Sequence, residues 1–130
     1  MKQRGIRGAI TIESNAIKDV EIAVKDLISE IKKQNNYNDS DISHVIFTLT
    51  KDINCIYPAK IAREIFESWK YVPMVCFNEM DIEGSLKKCL RILIVINTDC
   101  EQNEIRHVYL KGAGKLREDL NKNENTNSGF

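Results

Sequence analysis

Arg91 is a single charge inside an aliphatic run, Leu90-Arg91-Ile92-Leu93-Ile94. A guanidinium left buried and unpaired is strongly destabilising, so this one must reach water, a carboxylate such as Glu79 or Glu83, or an anionic ligand. Glu79 stands just beyond the strand-like Val75-Cys76-Phe77 and is in the same position of needing a purpose or a rim. Lys60 and Arg63 lie three apart near the start of a helical segment, hence on one face and close to exposed N–H groups that favour anions. Tyr109 alternates with Val108 and Leu110, which would leave its hydroxyl at a strand surface. Scattered cations, one carboxylate and a phenol suit the holding of a small dianion. Each also has an ordinary reading, as a solvated helix face, a strand end or a half-buried tyrosine, and together they do not name a reaction.

The usual signatures of other chemistries are missing. There is no G-x-G-x-x-G, no phosphate-binding P-loop, no G-x-S-x-G and no H-E-x-x-H. Cys55, Cys76, Cys89 and Cys100 are irregularly spaced, and His44 and His107 fall in no metal-ligand spacing with them, so no metal site is expected. In a reducing compartment these thiols are small buried hydrophobes. A cysteine nucleophile paired with His107 is sterically conceivable, but nothing selects it. The 19 Lys+Arg balance the 19 Asp+Glu, which argues against a nucleic-acid or anionic-membrane partner because both need a net basic field. The run Ile92 to Ile96 is far shorter than the ~20 residues of a spanning helix, and Met1-Lys2-Gln3-Arg4 opens no signal peptide. A cytoplasmic protein is expected.

The elements that must position these groups follow from periodicity. With 130 residues and 42% hydrophobic content the chain can build one core and not two. Arg4 to Glu13 alternates Ile6, Gly8, Ile10 and Ile12 against Arg7, Ala9, Thr11 and Glu13, which predicts a strand with Arg7 pointing off the aliphatic face. Ser14 and Asn15 can cap a long amphipathic helix carrying Ile17, Val20, Val24, Leu27, Ile28 and Ile31 at helical spacing. Val45 to Thr50 is a second strand, Pro58 opens a shorter helix running to Trp69, and Tyr71–Phe77, Leu90–Asn97 and Ile105–Leu110 are three more strands. The order β-α-β-α-β-β-β is an α/β (α+β) domain with a mixed sheet over residues 1–117. From 118 to 130 the chain is polar and too poor in apolar residues to pack, so a mobile tail is expected.

Taken in order, Arg4-Gly5-Ile6-Arg7-Gly8-Ala9, Pro58-Ala59-Lys60-x-x-Arg63-Glu64, Trp69-x-Tyr71-Val72-Pro73, Cys76-x-x-Glu79-Met80-Asp81, Gly84-x-Leu86-Lys87-Lys88-Cys89-x-Arg91 and Ile105-Arg106-His107-Val108-Tyr109-Leu110 resemble the small single-domain chorismate mutases of the AroH class. The resemblance runs from about Arg4 to Arg117. It implies a homotrimer of α/β subunits packed as a pseudo-α/β-barrel, with active sites in clefts between subunits. It also implies rearrangement of the chorismate dianion to prephenate without cofactor or metal, within aromatic amino acid biosynthesis. By resemblance, Arg91 would donate to the ether oxygen and a carboxylate, Arg7 and Tyr109 would hold carboxylates, and Glu79 with Cys76 would receive the ring hydroxyl. Lys60, Arg63 and Arg117 would line or close the mouth, and Tyr57, Ala59, Val75 and Leu116 would form its walls, Tyr57 and Val75 departing from the residues common there. Two other readings stand beside this one: a catalytically inactive trimeric module that binds small carboxylates as a sensor, and, on architecture alone, a small trimeric deaminase.

Overall fold

The structure, a computed structural model, describes residues 1–116; Arg117 and the expected tail at 118–130 lie outside the described residues. Its strands are β1 (Lys2–Thr11), β2 (Ile42–Leu49), β3 (Met74–Asn78), β4 (Cys89–Thr98) and β5 (Val108–Leu110). Its helices are α1 (Ile17–Gln34) and α2 (Pro58–Ile65), with short 3₁₀ turns at Asp39–Asp41, Glu67–Trp69, Gln102–Glu104 and Lys111–Ala113. The strands form one mixed sheet in the order β3-β2-β4-β1-β5, antiparallel where β4 meets β1 and β2, and parallel at both edges.

Directly paired residues share a face, so the registers define rungs across the sheet. Gly8, Ile92, Phe47 and Cys76 make one rung, and Ile6, Ile94, Val45 and Met74 the next on the same face. This is the face that α1 and α2 cover. Val20, Val24, Leu27, Ile28 and Ile31 of α1 and Ile61 and Ala62 of α2 join Ile6, Phe47, Leu90, Ile92 and Ile94 in one core. Gly8 lets α1 come close: a Cβ there would lie 2.8 Å from Ile31 Cδ1 and 3.1 Å from Leu27 Cδ1. The opposite face carries the alternate rungs, Arg7-Leu93-Ile46-Val75 and Ala9-Arg91-Thr48-Phe77, the latter extended by Tyr109 on β5. Among the described residues no helix covers it centrally; a small cluster of Ala9, Cys89, Tyr109 and Ala113, with Leu86 and Leu116 against it, closes the end near β5.

Several local expectations need correction. Ser14 and Asn15 do not cap α1. Its cap residue is Ala16, Ser14 instead donates to Asp19 at 2.6 Å, and Asn15 exchanges hydrogen bonds with Asn54 at 2.7 and 3.0 Å. Ile17 overhangs the core and stays half exposed. α2 stops at Ile65 rather than Trp69 because Phe66 turns extended, and Trp69 is buried through the 3₁₀ turn that follows. Residues Ile105 to His107 are not strand: the Asn35 side chain occupies the Arg106 backbone on both sides, at 2.9 Å each, and β5 begins only at Val108.

Candidate active site

The sheet brings Arg91, Glu79, Arg7 and Tyr109 to the open face. Arg91 sits mid-sheet on β4, flanked on its rung by Thr48 and Ala9. Glu79 follows β3, its N–H donating to Leu49 O at 2.8 Å, so its carboxylate folds back over that rung. There it accepts a short hydrogen bond from Thr48 Oγ1 and lies 3.5 Å from Arg91 Nε, with the Arg91 and Glu79 side chains only 13% and 24% exposed. The aliphatic strand therefore carries its charge into a salt bridge shielded from water, where the interaction is stronger than at the surface.

Arg7 and Tyr109 extend the group toward β5. Burial pushes the Tyr109 hydroxyl up, while the guanidinium groups of Arg7 and Arg91 pull it partly back, so the phenol remains a hydrogen-bond donor. The Arg7 backbone N–H donates to His107 Nδ1 at 2.9 Å. That bond needs an unprotonated Nδ1, and burial, helped by the Arg7 charge, pushes the imidazole down to about 4. Leu116 packs on the Tyr109 cluster and supplies an apolar neighbour.

The remaining expected residues lie elsewhere on the chain. Tyr57 is the residue before α2, Ala59 is buried in its first turn, and Lys60 and Arg63 are exposed on it, Lys60 at 3.5 Å from Glu64. Cys76 shares a rung with Phe47 and so faces the helices. Burial pushes its thiol up, offset in part by the Ala59 backbone N–H and the Arg63 charge, which places it against the start of α2. Val75 is half exposed on the open face but at the β3 edge, three strand spacings or about 14 Å from Arg7 on its rung. A groove of about 510 Å³ is lined by Tyr57, Cys76 and Phe77, and a separate one of about 320 Å³ by Arg4, Arg7, Leu93 and His107. One chain thus carries these residues in two separate groups, an arginine group on the open face and a second group around α2 and β3.

Thr48, Cys89 and His107 belong to the arginine group although sequence reasoning did not single them out for it. Cys89, two residues before Arg91 and on the same face, is fully buried; that burial raises its thiol, and the nearby Arg91 charge counters part of the rise. Period-two alternation around Arg91 and along Ile46-Phe47-Thr48 was the available signal. Among the described residues, no three His, Cys, Asp or Glu gather as a metal site, and all four cysteines are free thiols. Among the described residues no helix is long and apolar enough to cross a membrane.

The chain matches the family described as chorismate mutase type I over residues 3–120. This chain belongs to the chorismate mutase type I family. Chorismate mutase AroH of Bacillus subtilis (strain 168) is 40% identical over 126 residues, spanning 97% of this chain and 98% of that one. Chorismate mutase AroH of Thermus thermophilus is 38% identical over 118 residues, spanning 90% and 95%. The solved chorismate mutase from Clostridium thermocellum superposes with a TM-score of 0.80 at 38% identity, covering 85% of this chain and 97% of that one. The chain has the mixed α+β fold of that neighbour and is a chorismate mutase, an isomerase; the inactive-sensor and deaminase readings are not favoured.

Proposed function

We propose that this chorismate mutase converts chorismate to prephenate in the cytoplasm, as a homotrimer whose pseudo-barrel joins the arginine group of one subunit to the α2–β3 group of the next. The reaction breaks one C–O bond as one C–C bond forms, within a single molecule, with no proton transferred. It requires the substrate in a compact chair-like conformer and positive charge where the ether oxygen gains electron density. The observation that carries the reading is the Arg91–Glu79 pair on the open face, 3.5 Å apart and shielded from water.

Arg91 donates to the ether oxygen and to a carboxylate, and Glu79, steadied by Thr48, accepts the ring hydroxyl. Arg7 and Tyr109 hold the carboxylates, while Leu116 is an apolar wall. From the neighbouring subunit, Lys60 and Arg63 add positive charge at the mouth, Cys76 meets the hydroxyl side, and Tyr57, Ala59 and Val75 complete the walls. Two features support the shared site. Tyr57 and Cys76 line one groove of the chain, whereas Arg7 lines another and Glu79 a third. The open face also exposes Val75 and Phe77 beside Ile46 and Leu93, apolar surface that a second copy would cover.

The test is to add purified protein to chorismate and follow loss of the conjugated-diene absorbance with identification of the product. Disappearance with prephenate formed supports the reading. Saturable binding without turnover would support the sensor module instead.

A further inference from the structure

We infer that Asp52 is a positioning residue for the mutase reaction, acting through the first residues of β4 on the guanidinium of Arg91. The inference rests on the role proposed above for Arg91. Asp52 lies in the loop after β2, outside the helix-covered core, yet both of its carboxylate oxygens accept the Lys88 N–H, at 3.1 and 3.0 Å. Its Oδ1 also accepts from Thr50 Oγ1, and that same hydroxyl accepts the Cys89 N–H at 3.0 Å. The Thr50 N–H donates to Cys89 O at 3.1 Å, and from the other side the Ile12 N–H donates to Lys88 O at 2.9 Å. Residues 88 and 89 are thus gripped between the ends of β2 and β1.

The grip holds an unfavourable shape. Lys88 has φ 47°, a left-handed conformation that a side chain with a Cβ adopts only at a cost. Burial alone would raise the Asp52 carboxyl, but the Thr50 and Lys88 hydrogen bonds outweigh it and hold the group below the usual carboxylate range, so it is charged at neutral pH. The residue gripped next is Cys89, whose buried side chain lies on the open face of β4 next to Arg91, two residues further along the same strand face. Moving Cys89 therefore moves the guanidinium relative to Glu79 and to any ligand. An ångström of misplacement can cost a rate factor on the order of 10²-fold without altering which groups are present.

Steady-state kinetics on full-length Asp52→Ala, Asp52→Asn and Arg91→Ala test this. Asp52→Ala should lower kcat by about 10-fold or more with KM within about 3-fold, since the distorted contact is the one made in the transition state. Asp52→Asn, whose amide oxygen still accepts the Lys88 N–H, should recover kcat to within about 3-fold of wild type. A folded Asp52→Ala enzyme with kcat within about 2-fold of wild type, or an Asn variant no better than Ala, overturns the inference. If Asp52→Ala does not fold, Thr50→Val removes the bridge to Cys89 and should lower kcat about 5-fold at constant KM; unchanged kcat then overturns it. Full activity in Arg91→Ala would instead overturn the reading of Arg91, whereas an inactive Arg91→Ala beside an unaffected Asp52→Ala sinks only the role of Asp52.

Discussion

The two faces of the sheet are built from alternate residues of the same strands and do opposite things. On the helix-covered face, the paired residues Ile6, Ile94 and Val45, or Ile92 and Phe47, are all essentially inaccessible to solvent. On the open face the equivalent positions hold Arg7, Thr48 and Arg91 among half-buried Leu93 and Ile46. The first face derives its stability from apolar area removed from water. The second gives up part of that gain to hold charge in a fixed place, and it leaves apolar surface uncovered at the β3 edge. Stability and activity should therefore separate by face, which one substitution on each face can check.

The largest expected effect is on the open face. Arg91→Ala should lower kcat/KM by about 3–4 kcal/mol of transition-state stabilisation while the urea midpoint stays near that of wild type, and Arg91→Lys should recover only part because it lacks the planar fork. Wild-type turnover in Arg91→Ala would erase the distinction between the faces. One residue along from Arg7, Gly8→Val should do the reverse. Its side chain would strike Ile31, Leu27 and Ile92, whose atoms already lie 2.8 to 3.1 Å from a bare Cβ there. A destabilisation of about 1–3 kcal/mol in urea unfolding is expected, with activity per folded molecule retained. An unchanged midpoint would show that α1 does not press on this strand.

The remaining effect concerns pH. His107 is held down to about 4 in the folded chain against 6.5 for the free group, so the unfolded chain binds the extra proton between those values. Its contribution to stability is complete above about 6.5 and is lost as pH falls toward about 4. The urea midpoint of wild type should fall across that window more steeply than that of His107→Gln; parallel curves would show that the imidazole is not held neutral by Arg7 and its surroundings.

The fold could be read from sequence wherever one periodicity ran long enough. All seven main elements and their order follow from alternation and helical spacing, and Arg91 stood out because a charge interrupted an aliphatic strand. What could not be read depended on distant partners. The end of α2 at Ile65, the failure of Ser14 to cap α1, and the capture of Arg106 by Asn35 are tertiary choices with no local signal. The motif Cys76-x-x-Glu79 grouped two residues that stand only three positions apart in sequence. The strand register turns Cys76 toward the helices while Glu79 folds over the open face. Neighbours in a motif came to lie on different faces of the sheet because a strand sends successive side chains in opposite directions.

Subunit complementation tests that division most directly. Arg91→Ala disables the open-face half-site, and Lys60→Ala/Arg63→Ala disables the α2 half-site. Co-refolding the two variants at equal ratio gives one intact composite site in every mixed trimer if the site is shared between subunits. Three quarters of the trimers would be mixed, each with one of three sites restored, so activity should return to about one quarter of wild type. Activity no higher than the mean of the two parent variants would contradict the account.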